Sequence, residues 1–175
     1  MNIETKRLLI RPYEVSDSKE ASTFLLHPEA MHYIPETFET VEEVTHFLQE
    51  NRDAYFPVCL KETGEIIGHL FFKAFFGSHS YEIGWIFHPD YHRKGYAKEA
   101  ANAVLAYGFL KKEIHRVIAT CQPENEGSWR LMDSLGMRRE GYFKQCIPKG
   151  DTWWDEYYYA ILKEEWHQLL SKNII

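Results

Sequence analysis

Tyr91-His92-Arg93-Lys94-Gly95-Tyr96-Ala97-Lys98-Glu99-Ala100-Ala101 joins an apolar run, Tyr81 to Phe87, to an alanine-rich run, Ala97 to Leu110. The first run has the β-branched and aromatic content of a strand, and the second the composition of a helix. A strand-to-helix junction of this kind can hold an anion. Gly95 has no Cβ to block close approach, and the first helical N–H groups lack intrahelical partners. Those donors and the positive end of the helix dipole face whatever lies beyond the strand. Arg93 and Lys94 add two cations at the same place. The plain alternative is a glycine that eases a turn beside a solvated basic pair, so the surroundings decide.

Upstream, Ala54–Lys61, Ile66–Phe76 and Ser80–Phe87 read as three strands joined by turns at Glu62-Thr63-Gly64-Glu65 and Gly77-Ser78-His79, an antiparallel meander. Thr40-Val41-Glu42-Glu43 is a capping box that opens a helix over about residues 41 to 53. Asp17 and Glu20 suggest a second box, opening a helix that stops at His27-Pro28. Thr5–Pro12 opens the chain as a short strand, and Pro28–Phe38, with Met31, Tyr33 and Ile34, reads as a short helix or a loop. Downstream come a strand at His115–Cys121, a loop at Gln122–Gly127 and a short helix at Ser128–Leu135 ended by Gly136. A hairpin of Arg138–Cys146 with Trp153–Leu162 and a terminal helix at Glu164–Leu170 complete the reading. Strand, helix and strand from Tyr81 to Cys121 form a βαβ unit, expected to be parallel and right-handed. A ligand at its first turn lies at the carboxyl end of the strand, where open α/β sheets bind ligands. The expectation is one domain over residues 1–175, of α/β (α+β) class: a mostly antiparallel sheet of about seven strands, flanking helices and one central parallel unit.

The composition narrows the function. A net charge of −6 and a pI near 5.8 argue against a nucleic-acid-coating protein and suit a cationic substrate such as an amine. No apolar run reaches membrane-spanning length and the first residues lack a signal-peptide pattern, so no membrane partner and a cytoplasmic location are expected. Cys59, Cys121 and Cys146 are far apart and read as structural thiols. His88 and His92 have zinc-like spacing only on a helix, and Pro89 intervenes, so no metal is expected. Neither G-x-x-x-x-G-K-[ST] nor G-x-G-x-x-G occurs.

Three blocks resemble the GNAT superfamily of acetyl-CoA-dependent N-acetyltransferases, in its ribosomal-protein N-terminal (alanine/serine) acetyltransferase-like branch. They are Thr5–Pro12, Ile83-Gly84-Trp85 through Gly95–Ala100, and Asn125 through Ser128 to Gly136-Met137. The middle block matches the family's phosphate loop, Gln/Arg-x-x-Gly-x-Gly/Ala, as His92-Arg93-Lys94-Gly95-Tyr96-Ala97, with His92 where relatives carry Gln or Arg. The resemblance implies acetyl-CoA as co-substrate, its pyrophosphate held by residues 92 to 98, including Lys98, and its pantetheine arm paired with a bulged strand at Ile86-Phe87-His88. It places Asn125 near the pantetheine. Many relatives have a thiolate-protonating tyrosine seven residues later, where this chain has Met132, so Ser128 becomes the nearer candidate.

Amine attack on a thioester needs a neutral nitrogen, while an α-amine has a pKa of ~8 and a lysine amine ~10.4, so a base is required. Glu82, on the strand that carries the cofactor, is the expected base, with backbone N–H groups near Phe87 stabilising the oxyanion. Trp153, Asp155, Tyr157 and Tyr159 alternate onto one face, where Asp155 is the candidate for the substrate ammonium. Tyr33 and Trp85 are further acceptor-side candidates. The acceptor is a primary amine: a protein N-terminus, or alternatively a polyamine, amino acid or aminoglycoside. A non-catalytic acyl-CoA sensor would need neither Glu82 nor Asp155. Either a monomer or a homodimer fits.

Overall fold

A computed structural model describes residues 1–172. Its elements run β1 Ile3–Glu4, β2 Leu8–Ile10, α1 Ser18–Leu25, α2 Val41–Glu50, β3 Tyr55–Leu60, β4 Ile66–Phe76, β5 Ser80–Phe87, α3 Tyr96–Leu110, β6 Arg116–Cys121, α4 Glu126–Ser134, β7 Arg138–Lys149, β8 Thr152–Leu162 and α5 Lys163–Ser171. The strands hydrogen-bond in the order β1-β2-β3-β4-β5-β6-β8-β7, a mixed and mostly antiparallel sheet with one parallel pair. Contacts group the chain into two compact units, Met1–Phe72 with Gly84–Val104, and Lys73–Ile83 with Leu105 onward.

In the first unit, β1 folds back on β2 with Ile3 opposite Ile10, and β2 pairs with β3 with Leu8 opposite Leu60. Thr5 closes the turn between β1 and β2, its hydroxyl accepting from the Leu8 N–H. The segment read as one strand over Thr5–Pro12 is therefore a turn followed by a strand, and it is the short β1 ahead of it, Ile3–Glu4, that raises the count from about seven strands to eight. β3 pairs with β4 and shifts register between Val58 and Cys59. α1 and α2 bury Ala21, Phe24, Leu25, Val44 and Leu48 in a cluster with Tyr13, Cys59 and Ile66. Their spacing is the helical i, i+3/i+4 pattern.

The Thr40 capping box forms, its hydroxyl accepting from the Glu43 N–H. The box expected at Asp17 and Glu20 does not. Asp17 instead accepts from both Nη atoms of the Arg11 guanidinium, at 2.7 and 2.9 Å, and from the Glu14 N–H. Glu20 accepts from the Ile66 N–H across the unit. A bidentate guanidinium and a strand amide are stronger partners than a local cap, so tertiary contacts win. Pro28–Phe38 has no helix but a run of turns, from which Met31 and Phe38 pack on the α1–α2 cluster.

In the second unit β5 runs parallel to β6, with Ser80, Tyr81 and Glu82 opposite Arg116, Val117 and Ile118. β6 pairs with β8 from Arg116–Leu162 to Cys121–Tyr157, and β8 with the edge strand β7. The hairpin is longer than its sequence suggests and turns at Gly150-Asp151. Two register shifts, at Arg139/Gly141 and Phe143/Ile147, absorb its extra residues. α4 ends as Gly136 implies: at φ 78° its N–H reaches the Asp133 carbonyl, and the Met137 N–H reaches that of Met132. This is the Schellman arrangement. α5 sets Trp166 against Phe109, ring centroids 5.4 Å apart.

Candidate active site

The junction quoted first is a built loop in the first unit. β5 ends at Phe87, a 3-10 turn covers Pro89–Tyr91, and α3 starts at Tyr96. Arg93 and Gly95 both take left-handed backbone, φ 60° and 79°. Alternation of left- and right-handed residues turns successive N–H groups toward one concavity, which suits an anion. The first intrahelical bond of α3 runs from the Glu99 N–H to the Gly95 carbonyl, so the amides of Tyr96, Ala97 and Lys98 precede it. The residues present fit a pyrophosphate: first-turn amides without helical partners, a glycine at the tightest point, and Arg93 and Lys94 exposed beside it.

His92 has a different task from the Gln or Arg it replaces. Its Nε2 lies 3.0 Å from the Phe87 carbonyl, which can only accept, so Nε2 carries the proton and ties the loop to the end of β5. His88 Nδ1 accepts from the Asp90 N–H, and its ring meets His27 at 5.2 Å. Neither imidazole is directed at the other, and no group of three metal-type side chains gathers among the described residues.

The same loop is braced by residues to which the motif alone assigns no role. The Glu99 carboxylate accepts from Arg7 Nε at 2.6 Å, from the Arg7 N–H at 2.9 Å and from the Thr5 hydroxyl at 2.6 Å. Arg7 Nη1 donates to the Lys94 carbonyl at 2.9 Å, and the guanidinium lies 4.3 Å from the Tyr96 ring centroid. Burial works against the Glu99 charge, but these donors outweigh it and hold its carboxyl below the usual range. A signal was present: an acid in the first turn of a helix that must accept an anion needs a neutralising partner.

β5 and β4 touch closely further along. A Cβ on Gly68 would lie 2.4 Å from the Ile86 carbonyl and 2.8 Å from the Phe87 Cα. Ile86 packs on the α1–α2 cluster, Phe87 is buried, and Trp85 is half-buried. The His88 N–H donates to the Ile67 carbonyl. Tyr33 is half-buried in the turn segment, 4.6 Å from His32 between ring centroids.

In the second unit, Glu82 is largely shielded, its carboxylate 3.6 Å from Lys73 Nζ. Register assigns its face: Glu82 is level with Ile118, and Ile118 with Ala160, so Glu82 shares a side of the sheet with Ala160 and Tyr158. Asp155 alternates to the opposite side with Tyr157 and Tyr159. There it accepts from the Tyr142 hydroxyl and, at 2.7 Å, from the Gln145 N–H. These bonds hold the hairpin irregularity in place. The structure thus groups Asp155 with Tyr157 as the alternation implies, and separates both from Glu82.

Asn125 caps α4, its side chain accepting from the Ser128 N–H at 3.3 Å. Ser128 is inside the helix, so the cap belongs to Asn125. Burial pushes the Cys121 thiol up to about 12, despite its hydrogen bond with the Ser128 side chain. Cys59 is buried as well, whereas Cys146 is exposed.

The family model of the acetyltransferase (GNAT) domain matches residues 7–138. The chain belongs to the GNAT acetyltransferase family. This GNAT chain is 53% identical over 170 residues to the uncharacterized N-acetyltransferase YnaD of Bacillus subtilis, covering 95% of this chain and all of that one. A GNAT-family acetyltransferase structure from Bacillus anthracis superposes with a TM-score of 0.91 at 52% identity, covering 94% of this chain and 99% of that one. The ribosomal-protein branch is a more distant match. The ribosomal protein uS5-alanine N-acetyltransferase of Escherichia coli is 29% identical over 125 residues, covering 70% of this GNAT chain and 64% of that protein. The chain is thus an N-acetyltransferase, of a family that uses acetyl-CoA. No helix among the described residues is long and apolar enough to cross a membrane.

Proposed function

We propose that the chain transfers the acetyl group of acetyl-CoA to a primary amine by direct attack, with Glu82 removing the amine proton. The observation that supports the reading is the left-handed Arg93 and Gly95 ahead of the amides that precede the first intrahelical bond of α3, an arrangement that suits a pyrophosphate. Amides of residues 95 to 98 would hold the phosphates with Arg93 and Lys94, and His92 would hold the strand end rather than the ligand. Acetyl-CoA, when bound, supplies a thioester activated toward amines.

Glu82 lies on β5, the strand that leads into this cradle. As a carboxylate it accepts a proton from the ammonium directly or through a water, leaving the nitrogen lone pair free. Lys73 beside it complements that charged form. Backbone donors near Phe87 are assigned to the carbonyl oxygen, Asn125 to the pantetheine side, and Ser128 to the departing sulfur. Tyr33 and Trp85 are assigned to the acceptor side. Asp155, tied to Tyr142 and Gln145, is read as a brace of the hairpin. The uS5-alanine relative supports a polypeptide α-amine as one acceptor of the required kind.

The test is release of free CoA thiol with a broad amine panel. Wild type should release thiol, and Glu82→Gln should lower kcat by about a hundredfold with acetyl-CoA affinity retained and the deficit narrowing at high pH. Full turnover by Glu82→Gln would remove Glu82 from the chemistry. Acetyl-CoA binding with no thiol release for any amine would favour a sensor.

A further inference from the structure

We propose that the acceptor carries a single amine on an aromatic body, received by an exposed aromatic patch on the Glu82 face of the second unit; this rests on Glu82 being the base. Phe75, Phe76 and Phe143 are 47%, 73% and 49% exposed, which is unusual for phenylalanine. They are not scattered. Phe75 lies 6.5 Å from Phe76 and 6.2 Å from Tyr158, and Phe143 lies 5.9 Å from Tyr158, between ring centroids. The end of β4 and the β7–β8 hairpin, distant from it in sequence, therefore contribute to one surface centred on Tyr158. A contiguous exposed apolar surface marks an interaction site.

What it receives is indicated by its neighbours. The register places Tyr158 on the same face as Glu82. Burial raises the Tyr158 hydroxyl above its usual value, Arg116 opposes this, and Glu82 is among the carboxylates adding to it. A carboxylate beside aromatic rings complements one ammonium attached to an apolar group. A second ammonium is less welcome: Lys73 already stands 3.6 Å from Glu82, and Glu140 is paired with Arg116 and Arg138. Glu156 alternates onto this face as the remaining carboxylate acting on Tyr158, so the test includes a polyamine.

Thiol release by the full chain is compared for phenethylamine, ethanolamine and spermidine at saturating acetyl-CoA. Phenethylamine should exceed the other two in kcat/KM by about tenfold or more. Phe75→Ser and Phe143→Ser, both at exposed positions, should each raise its KM several-fold while leaving the KM for acetyl-CoA and the thermal midpoint unchanged. Preference for spermidine, or unchanged amine KM in both variants, overturns the inference and leaves the role of Glu82 standing. So does a shift in oligomeric state in Phe75→Ser with the amine KM unchanged, which would make the patch a contact between copies. If no amine is acetylated while acetyl-CoA still binds, the reading of Glu82 falls and the inference with it.

Discussion

Arg7 and Glu99, 92 positions apart, are joined twice, by the Arg7 Nε to one carboxylate oxygen and by the Arg7 backbone N–H to the other. The pair neutralises an acid in the first turn of α3 and, through the Lys94 carbonyl, holds the loop proposed as the pyrophosphate cradle. Arg7→Ala should therefore raise the KM for acetyl-CoA about tenfold, roughly 1.4 kcal/mol, with kcat little changed. Adding Glu99→Gln should recover part of the loss, since it removes the uncompensated charge. Steady-state kinetics of the two variants test this; an equal fall in kcat with unchanged KM would contradict it.

Gly95 at φ 79° occupies backbone that β-branched residues avoid. Gly95→Val costs on the order of 1–3 kcal/mol of local strain. Its side chain would also crowd the brace, since a Cβ at this position would lie 3.4 Å from Arg7 Nη2. Loss of acetyl-CoA binding measured by calorimetry, with an unchanged circular dichroism spectrum, is the expected outcome.

Gly136 closes the Schellman motif of α4, and a Cβ there would lie 2.1 Å from Leu169 Cδ1. Gly136→Ala should destabilise by about 1–2 kcal/mol from the left-handed backbone and displaced leucine together. Leu169→Ala in the same background should relieve the contact but not the backbone strain. Denaturant midpoints of the wild type and the two variants separate the two contributions.

His69 is wholly buried, its Nδ1 3.1 Å from the Tyr13 hydroxyl and its Nε2 without a hydrogen-bond partner. Burial lowers its pKa to about 3. The unfolded chain takes up this proton near pH 6.5 and the folded chain only near pH 3, so unfolding binds a proton within that window. Stability is fully present above pH ~6.5 and declines as pH falls through the window, by about 2 kcal/mol at pH ~5. His69→Gln should flatten the unfolding free energy between pH ~6.5 and ~5. An unchanged slope would place the acid sensitivity elsewhere.

Much of the architecture follows from rules that act over a few residues. The Thr40 box, Gly136 at the end of α4 and the meander from Ala54 to Phe87 are each legible because propensity, capping and alternation agree with the final contacts. The loop between β5 and α3 is legible for the same reason: a glycine with left-handed backbone and a helix start occupy adjacent positions in the chain. The Asp17–Glu20 box illustrates the opposite outcome, since Arg11 and the Ile66 amide offer those carboxylates better partners than the helix end does.

Partners far apart in sequence lie beyond such rules. Local pattern shows that Asp155, Tyr157 and Tyr159 share a face, because alternation has period two. It does not show that Glu82 faces the other way, because that depends on the register of β5 on β6 and β6 on β8. Nor does it bring Arg7 to Glu99, or Phe75 and Phe143 to Tyr158. Family, fold and the loop ahead of α3 reside in short-range chemistry, whereas the brace behind that loop and the aromatic face beside Glu82 arise from strand register and packing, which set neighbours that the linear chain keeps apart.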